Sequence, residues 1–374
     1  MKKFTYTVII LFSSLVVYGQ ISTLEEPVSF RTNVPALKIS EKTRKILPSL
    51  DMNKIGREDK EDETNGVPPR FGYKHEVDYN LDNSGEWTDL PGGDKIWRLV
   101  ISCPGALSVN LLYDKFRIPE GCKFFVYGND RKHSIGAFTS ANNKGDEKNI
   151  QGFATGLVYS DQVTLEYYLP KEAEEIGVIS VAYAVHGYRY IFLPDNEKAG
   201  YGQSGNCQVN VNCSEGQNWQ NEKNAVAMIL VNGDRWCSGS LVNTTANDYR
   251  PLFLTADHCL GGWANSVKHD ALGDSVLNHW SFYWHYESPG CANAIPVIRS
   301  TSGAVVVANN SLTDFALLRL GENPLNANGV TPYYLGWDRS GSIMPAGMGI
   351  HHPNGDIKKN KLYQSTNTKL SQPN

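Results

Sequence analysis

Leu252-Phe253-Leu254-Thr255-Ala256-Asp257-His258-Cys259 decides how this chain reads. An apolar run ends in Thr-Ala, and after one acidic residue a histidine is followed at once by a cysteine. Such a run predicts a buried strand that delivers an imidazole at its end. Cys259 is placed to bridge back to Cys237, in the strand-like run Trp236 to Val242. Closing that loop contributes about 3 kcal/mol in the chain-entropy model and fixes the backbone of His258.

Downstream, Asp314 stands at the head of the apolar run Phe315 to Leu320. An unpaired carboxylate at the mouth of a buried strand is costly, so it calls for a partner. Taken alone, Asp314 reads as a turn cap with Thr313; beside His258 it reads as the carboxylate that orients an imidazole. Nucleophilic acyl transfer needs that pair, because a hydroxyl becomes reactive only against a neutral imidazole held in the right tautomer. Around these two residues lie short β-type runs at Val226–Val231, Trp236–Val242, Pro251–Ala256, Trp280–Tyr286, Ala304–Ala308 and Asp314–Leu320. Six short strands with turns between them fit a small closed antiparallel barrel.

The chain upstream has a different character. From Val67 to about Asp195, short β-type runs alternate with turn residues, which predicts a β-sandwich. Cys103 and Cys122 flank one hairpin-like unit there and are placed for a local bridge. His133 and His186 are isolated and read as packed or surface residues. Residues 21–65 are weakly patterned and end in the charge run Arg57 to Glu63, which reads as a solvated linker in preference to an acidic docking patch. Residues 196–206 are Gly-rich and polar, a natural boundary and processing site. At the start, Lys2 and Lys3 precede the apolar run Val8 to Val17 and then Tyr18-Gly19-Gln20. That order is a secretory signal peptide, too short to span a bilayer, so the product is expected to be soluble and secreted, to the extracellular space, periplasm or cell surface.

Composition sets outer bounds. With 374 residues the prior is two or more domains, and 41% hydrophobic with 20% charged residues describes a globular protein. A net charge of −4 leaves no basic footprint for nucleic acid. Export permits disulfides, yet there are seven cysteines, so one is a free thiol, an intermolecular link or a residue whose partner lies elsewhere. A metalloprotein built from His258, His269, His279, His285, His351 and His352 is disfavoured, because no His-Glu-x-x-His or Cys-x-x-Cys occurs. No metal and no cofactor are expected.

Five segments occur in the order seen in lysyl endopeptidases: Cys237-Ser-Gly-Ser-Leu-Val-Asn243, Phe253-Leu-Thr-Ala-Asp-His-Cys259, Thr313-Asp-Phe-Ala-Leu-Leu-Arg-Leu320, Gly336-Trp-Asp-Arg339 and Ile350-His-His-Pro-Asn354. The chain thus resembles these secreted bacterial relatives of trypsin and chymotrypsin over roughly 207 to 360. The upstream sandwich resembles, less specifically, the prodomain of related enzymes. The resemblance implies an all-β fold, with His258 as general base and Asp314 as its orienting residue. It also implies disulfides Cys237–Cys259 and Cys213–Cys291, a distant partner for Cys207, and structural roles for His351 and His352. Protein or peptide substrates cut after basic residues, lysine favoured, follow from it; a monomer is expected. Asp257 departs from the family, which usually has alanine there; it either lifts the pKa of His258 or points to solvent.

The larger departure concerns the nucleophile. The family's serine lies in a Gly-x-Ser-Gly segment of the second barrel, and none follows His352 here. Gly273-Asp274-Ser275 is followed by Val276 and lies in the first barrel, and Ser204, Ser238 and Ser240 match no nucleophile context. Cys207 is left unpaired by the same reasoning. The expected organisation is a signal peptide (1–20), a pro-segment (21–66), a β-rich prodomain (67–201), a first barrel (202–322) and the start of a second barrel (323–374), truncated before the serine. Two readings follow: a serine endopeptidase precursor inactive as it stands, or a secreted non-catalytic binding or inhibitory protein that keeps the barrel.

Overall fold

The computed structural model describes residues 25–31, 34–189, 204–205, 207–261, 277–294, 298–327, 329–342, 344 and 346–364. The leader, most of the 196–206 boundary, His269 and Ser275 lie outside the described residues. The fold is all-β. In chain order the first half gives β1 (Arg44–Ile46), α1 (Met52–Thr64), β2 (Gly72–Asn80), β3 (Glu86–Asp89), β4 (Lys95–Ser102), β5 (Ser108–Arg117), β6 (Lys123–Gly128), β7 (Ser134–Phe138), β8 (Phe153–Ala154), β9 (Gln162–Leu169) and β10 (Val178–Gly187). The second half gives β11 (Val209–Asn210), β12 (Val226–Val231), β13 (Arg235–Val242), β14 (Leu252–Thr255), β15 (Ser281–Trp284), β16 (Arg299–Ser302), β17 (Ala304–Asn310), β18 (Phe315–Leu320), β19 (Ala346–His351) and β20 (Lys359–Gln364).

The first half is a sandwich. One sheet runs β1-β4-β9-β6-β7 with β3 beside β4, and the other runs β2-β10-β5-β8. Alternation along β4 turns Trp97, Leu99 and Ile101 into the core shared by both sheets. Arg98 and Val100 face the other way and are also buried. The segment 34–39 supplies part of their cover, as the Pro35 carbonyl accepts from Arg98 Nη2.

The expected Cys103–Cys122 bridge does not form; both are free, buried thiols. β9 lies between β4 and β6 and pairs antiparallel with each, so β4 and β6 run in the same direction. Cys103 follows the end of β4 and Cys122 precedes the start of β6, which puts them at opposite ends of the sheet. Six residues of strand separate such ends by roughly 20 Å, far beyond disulfide reach. The apparent hairpin was misleading because β5, between them in sequence, belongs to the other sheet.

The charge run 57–63 is likewise no linker: it forms the body of α1, capped by the Asp51 carboxylate on the N–H groups of Asn53 and Lys54. Only Ile55 of this helix is buried, so its acidic side chains are free to meet basic partners.

The second half is a seven-stranded curled sheet, β16-β15-β12-β13-β14-β18-β17. Phe253, Phe282, Trp280, Trp284 and Leu318 fill its concave side. Gly239 on β13 is required there: a Cβ would stand 2.3 Å from the Phe253 ring. Beyond it, β11-β20-β19 make a three-stranded sheet where the resemblance places the start of a second barrel.

Candidate active site

β14 and β18 are antiparallel neighbours in register Thr255↔Ala316. The end of one strand and the head of the other therefore reach the same edge of the sheet, carrying His258 and Asp314 with them. After β14 a single 3-10 turn, Asp257–Leu260, reverses the chain and is terminated by Gly261 in the left-handed region. Two anchors hold it. Cys259 is disulfide-bonded to Cys237 of β13, and Thr255 Oγ1 donates to the Ser238 carbonyl. Asp257 is 4% exposed and accepts from Asn309 Nδ2 at 2.7 Å, so it neither points to solvent nor faces the imidazole as a free charge.

Asp314 meets His258 twice. Its Oδ2 lies 2.8 Å from His258 Nδ1, and its Oδ1 accepts the His258 backbone N–H at 2.9 Å. Burial acts to raise the Asp314 carboxyl, but the His258 N–H and imidazole hydrogen bonds, with the Asp257 N–H, outweigh it and hold the group below its ordinary value. The pair is accessible, with side chains 44% and 53% exposed. This geometry makes Nδ1 the carboxylate's partner, the arrangement that leaves the proton transfer of a general base to Nε2.

Two recesses adjoin the histidine. One of about 280 Å³ is lined by Pro68, Pro69, Trp236, Ser238, His258 and Asn354. The other, about 630 Å³, runs under α1 between Asp59, Asp62, Arg189 and His258. Sequence reasoning missed that residues 66–71 lie against this cleft. Phe71 N–H donates to the Asp234 carbonyl, Trp236 N–H donates to the Pro69 carbonyl, and Arg70 faces Arg235 in an antiparallel bridge. Phe71 stacks on Trp236 with centroids 5.8 Å apart. Arg235 binds the Pro68 carbonyl and the Asp62 carboxylate, each at 2.6 Å. The signal was Pro68-Pro69: two residues without N–H groups offer a neighbouring edge only carbonyls, and those are the atoms used.

The serines are otherwise engaged. Sequence reasoning passed over one match: Ser204 does stand in Gly202-Gln203-Ser204-Gly205, but it precedes the barrel and its buried hydroxyl bonds the Asp356 carboxylate at 2.6 Å. Ser238 Oγ accepts the His352 N–H at 2.9 Å, and Ser240 lies in mid-strand on β13, opposite Leu254 of β14. Cys213–Cys291 is a disulfide and Cys207 an exposed free thiol. Among the described residues the group that best resembles a metal-ligand set is Cys237, His258 and Cys259, and its two sulfurs are bonded to each other. The other histidines are dispersed: His279 Nε2 lies 2.9 Å from the Tyr113 carbonyl, His285 accepts the Thr331 N–H, and His352 is buried against Tyr286. Burial pushes the His352 imidazole down to about 3.

Residues 201–374 match the lysyl endopeptidase C-terminal domain family. The chain is also similar to a lysyl endopeptidase of Pseudomonas aeruginosa, 26% identical over 305 residues, covering 73% of this chain and 59% of that protein. The chain thus spans under two thirds of the length of that relative.

Proposed function

From the premise that this is a lysyl endopeptidase-like chain, we propose that it is the precursor of a secreted serine endopeptidase. His258 is the general base, Asp314 orients it, and protein or peptide substrates are cut after basic residues, lysine foremost. The observation that carries the reading is the double contact of Asp314 with the His258 imidazole and backbone N–H. A carboxylate bound both ways holds the ring against rotation, so that a serine proton has one place to go and one direction to return from.

The nucleophile is the part that these 374 residues do not carry in a matching context, since no Gly-x-Ser-Gly follows His352. A second reading, a non-catalytic protein that binds peptides, rests on the recess beside His258 lined by Pro68, Trp236 and Asn354. The position of residues 66–71 against Trp236 supports the precursor reading, because a segment upstream of the barrel lies beside the candidate base. The organisation proposed is that of the sequence analysis, with export by the leader and a prodomain upstream of the barrel. Among the described residues no helix is long and apolar enough to cross a membrane.

The deciding experiment compares the 374-residue chain with any longer product of its gene on a lysyl p-nitroanilide. The shorter chain is expected to be inactive. A longer product with a Gly-x-Ser-Gly segment is expected to hydrolyse the substrate and to lose that activity as His258→Ala. Retained activity in His258→Ala removes the base assignment. If no longer product exists and lysyl peptides bind without turnover, the second reading holds.

A further inference from the structure

On the outer face of the six-stranded sheet of the sandwich, far in sequence from His258, lies a cavity of about 820 Å³. Its lining includes four arginines, Arg31, Arg44, Arg98 and Arg131, and no carboxylate-bearing residue. None of the four makes an ion pair with another described residue. Arg98 is the telling one. It projects from β4 at 5% exposure, its Nη2 donates to the Pro35 carbonyl and to Thr88 Oγ1, and its buried Nε has no partner.

The facing carboxylate acts on it electrostatically but is not its hydrogen-bond partner. Glu166 stands directly across from Arg98 in the β4–β9 register, but its oxygens are taken by the Ser29 N–H and the Tyr127 hydroxyl. The guanidinium of Arg131 instead lies 5.1 Å over the Phe30 ring, and Arg44 Nε donates to Ser102 Oγ. A buried guanidinium with a spare donor is costly, and three exposed cations with no carboxylate in the lining make the cavity attractive to an anion.

We propose that this cavity is a binding site for a small oxyanion-bearing ligand, a carboxylate or phosphate compound, gripped by the Arg98, Arg31, Arg44 and Arg131 guanidinium groups. The planar fork of arginine suits bidentate contact with either group. Burial, opposed by Tyr127, Glu166 and Glu86, lowers the proton affinity of Arg98, with Arg131 adding to the lowering; an anion relieves both effects. The site is independent of the proposed proteolysis.

The test is calorimetric titration of the full chain with sodium phosphate and, separately, sodium succinate, each at constant ionic strength. Saturable binding is expected, weakened roughly tenfold or more in Arg131→Gln and in Arg31→Gln, each the loss of a charged hydrogen bond. Both positions lie off the sheet, so the fold is kept, and circular dichroism verifies it. Phosphate alone, succinate alone, or both binding would each support the site and name the ligand's acid group. Absence of saturable binding at millimolar ligand, or equal affinity in wild type and both variants, overturns it.

Discussion

Asp314 holds a backbone φ of 50°, a region where a side chain with a Cβ is unusual, and it does so at the one place where its carboxylate reaches both His258 atoms. Asparagine tolerates that backbone and keeps the acceptor but not the charge, so Asp314→Asn isolates the electrostatic part. In a chain that also carries the serine, kcat is expected to fall on the order of 10⁴-fold with KM little changed, read from steady-state kinetics. Activity within a few-fold of wild type would mean that Asp314 only shapes the turn. A second residue matters to stability. Glu287 sits between Lys358, which is 0% exposed, and Lys223, at 2.9 and 2.6 Å. Burial acts to raise its pKa, but the two ammonium groups win and pull it down to about 2 from 4.5. A depressed carboxyl stabilises fully above its unfolded value and loses that contribution as pH falls from 4.5 towards 2. Glu287→Gln strands Lys358 and is expected to cost about 3–5 kcal/mol at neutral pH, with a flatter urea midpoint between pH 5 and pH 2 than the wild type.

At the scale of elements, the strand β14 and its histidine were legible because the apolar run, Thr-Ala and the adjacent cysteine all specify one local geometry. So were the short strands of the barrel sheet, whose periodicity and turns suffice. Partners across the chain were not. Cys103 and Cys122 looked like the two ends of a hairpin, and only sheet order shows them at opposite ends. The acidic run looked solvated because its partners, Arg70, Arg189 and Arg235, are distant in sequence from one another. Those ion pairs lead to a prediction about the 66–71 segment. Arg235 joins β13 to both α1 and Pro68, so Arg235→Ala removes two contacts that hold the segment on the cleft. One charged hydrogen bond contributes about 1.5–3 kcal/mol. Amide exchange at Phe71, whose N–H is bonded to Asp234, is expected to speed up on the order of tenfold or more while core amides of β12 keep their rates. Unchanged exchange at Phe71 would show that Phe71–Trp236 stacking alone secures the segment.

Over the whole molecule, sandwich and barrel sheet are tied by polar anchors that each half supplies to the other. Asn110 Nδ2 donates to the Gly233 carbonyl, the Leu157 N–H donates to the Tyr283 hydroxyl, and Asn142 Nδ2 donates to Glu322. Lys144 of the sandwich donates to Ser302 Oγ at 2.9 Å, beside the same Glu322, which also accepts the Ser302 N–H. Burial lowers the Lys144 ammonium to about 8, against the pull of Glu322, and burial raises the Glu322 carboxyl despite Lys144. Both shifts say that water is the better solvent for each charge, so the pair specifies how the halves meet more than it strengthens the contact. Because the native Lys144 value lies below the 10.5 of a free lysine, the native state binds fewer protons than the unfolded one between about 8 and 10.5. Its contribution to stability therefore rises with pH through that window, and the full cost is present below pH 8. Removing one partner leaves the other buried and uncompensated, so Lys144→Met alone is expected to lower the thermal midpoint at pH 7. The double variant Lys144→Met/Glu322→Gln, which keeps the volume and an acceptor for Asn142, should recover the midpoint or exceed it, and should lack the rise between pH 8 and 10.5. A double variant less stable than Lys144→Met would show that Glu322 stabilises the union through Asn142 and the Ser302 N–H without Lys144, and that losing the ammonium does not strand its carboxylate.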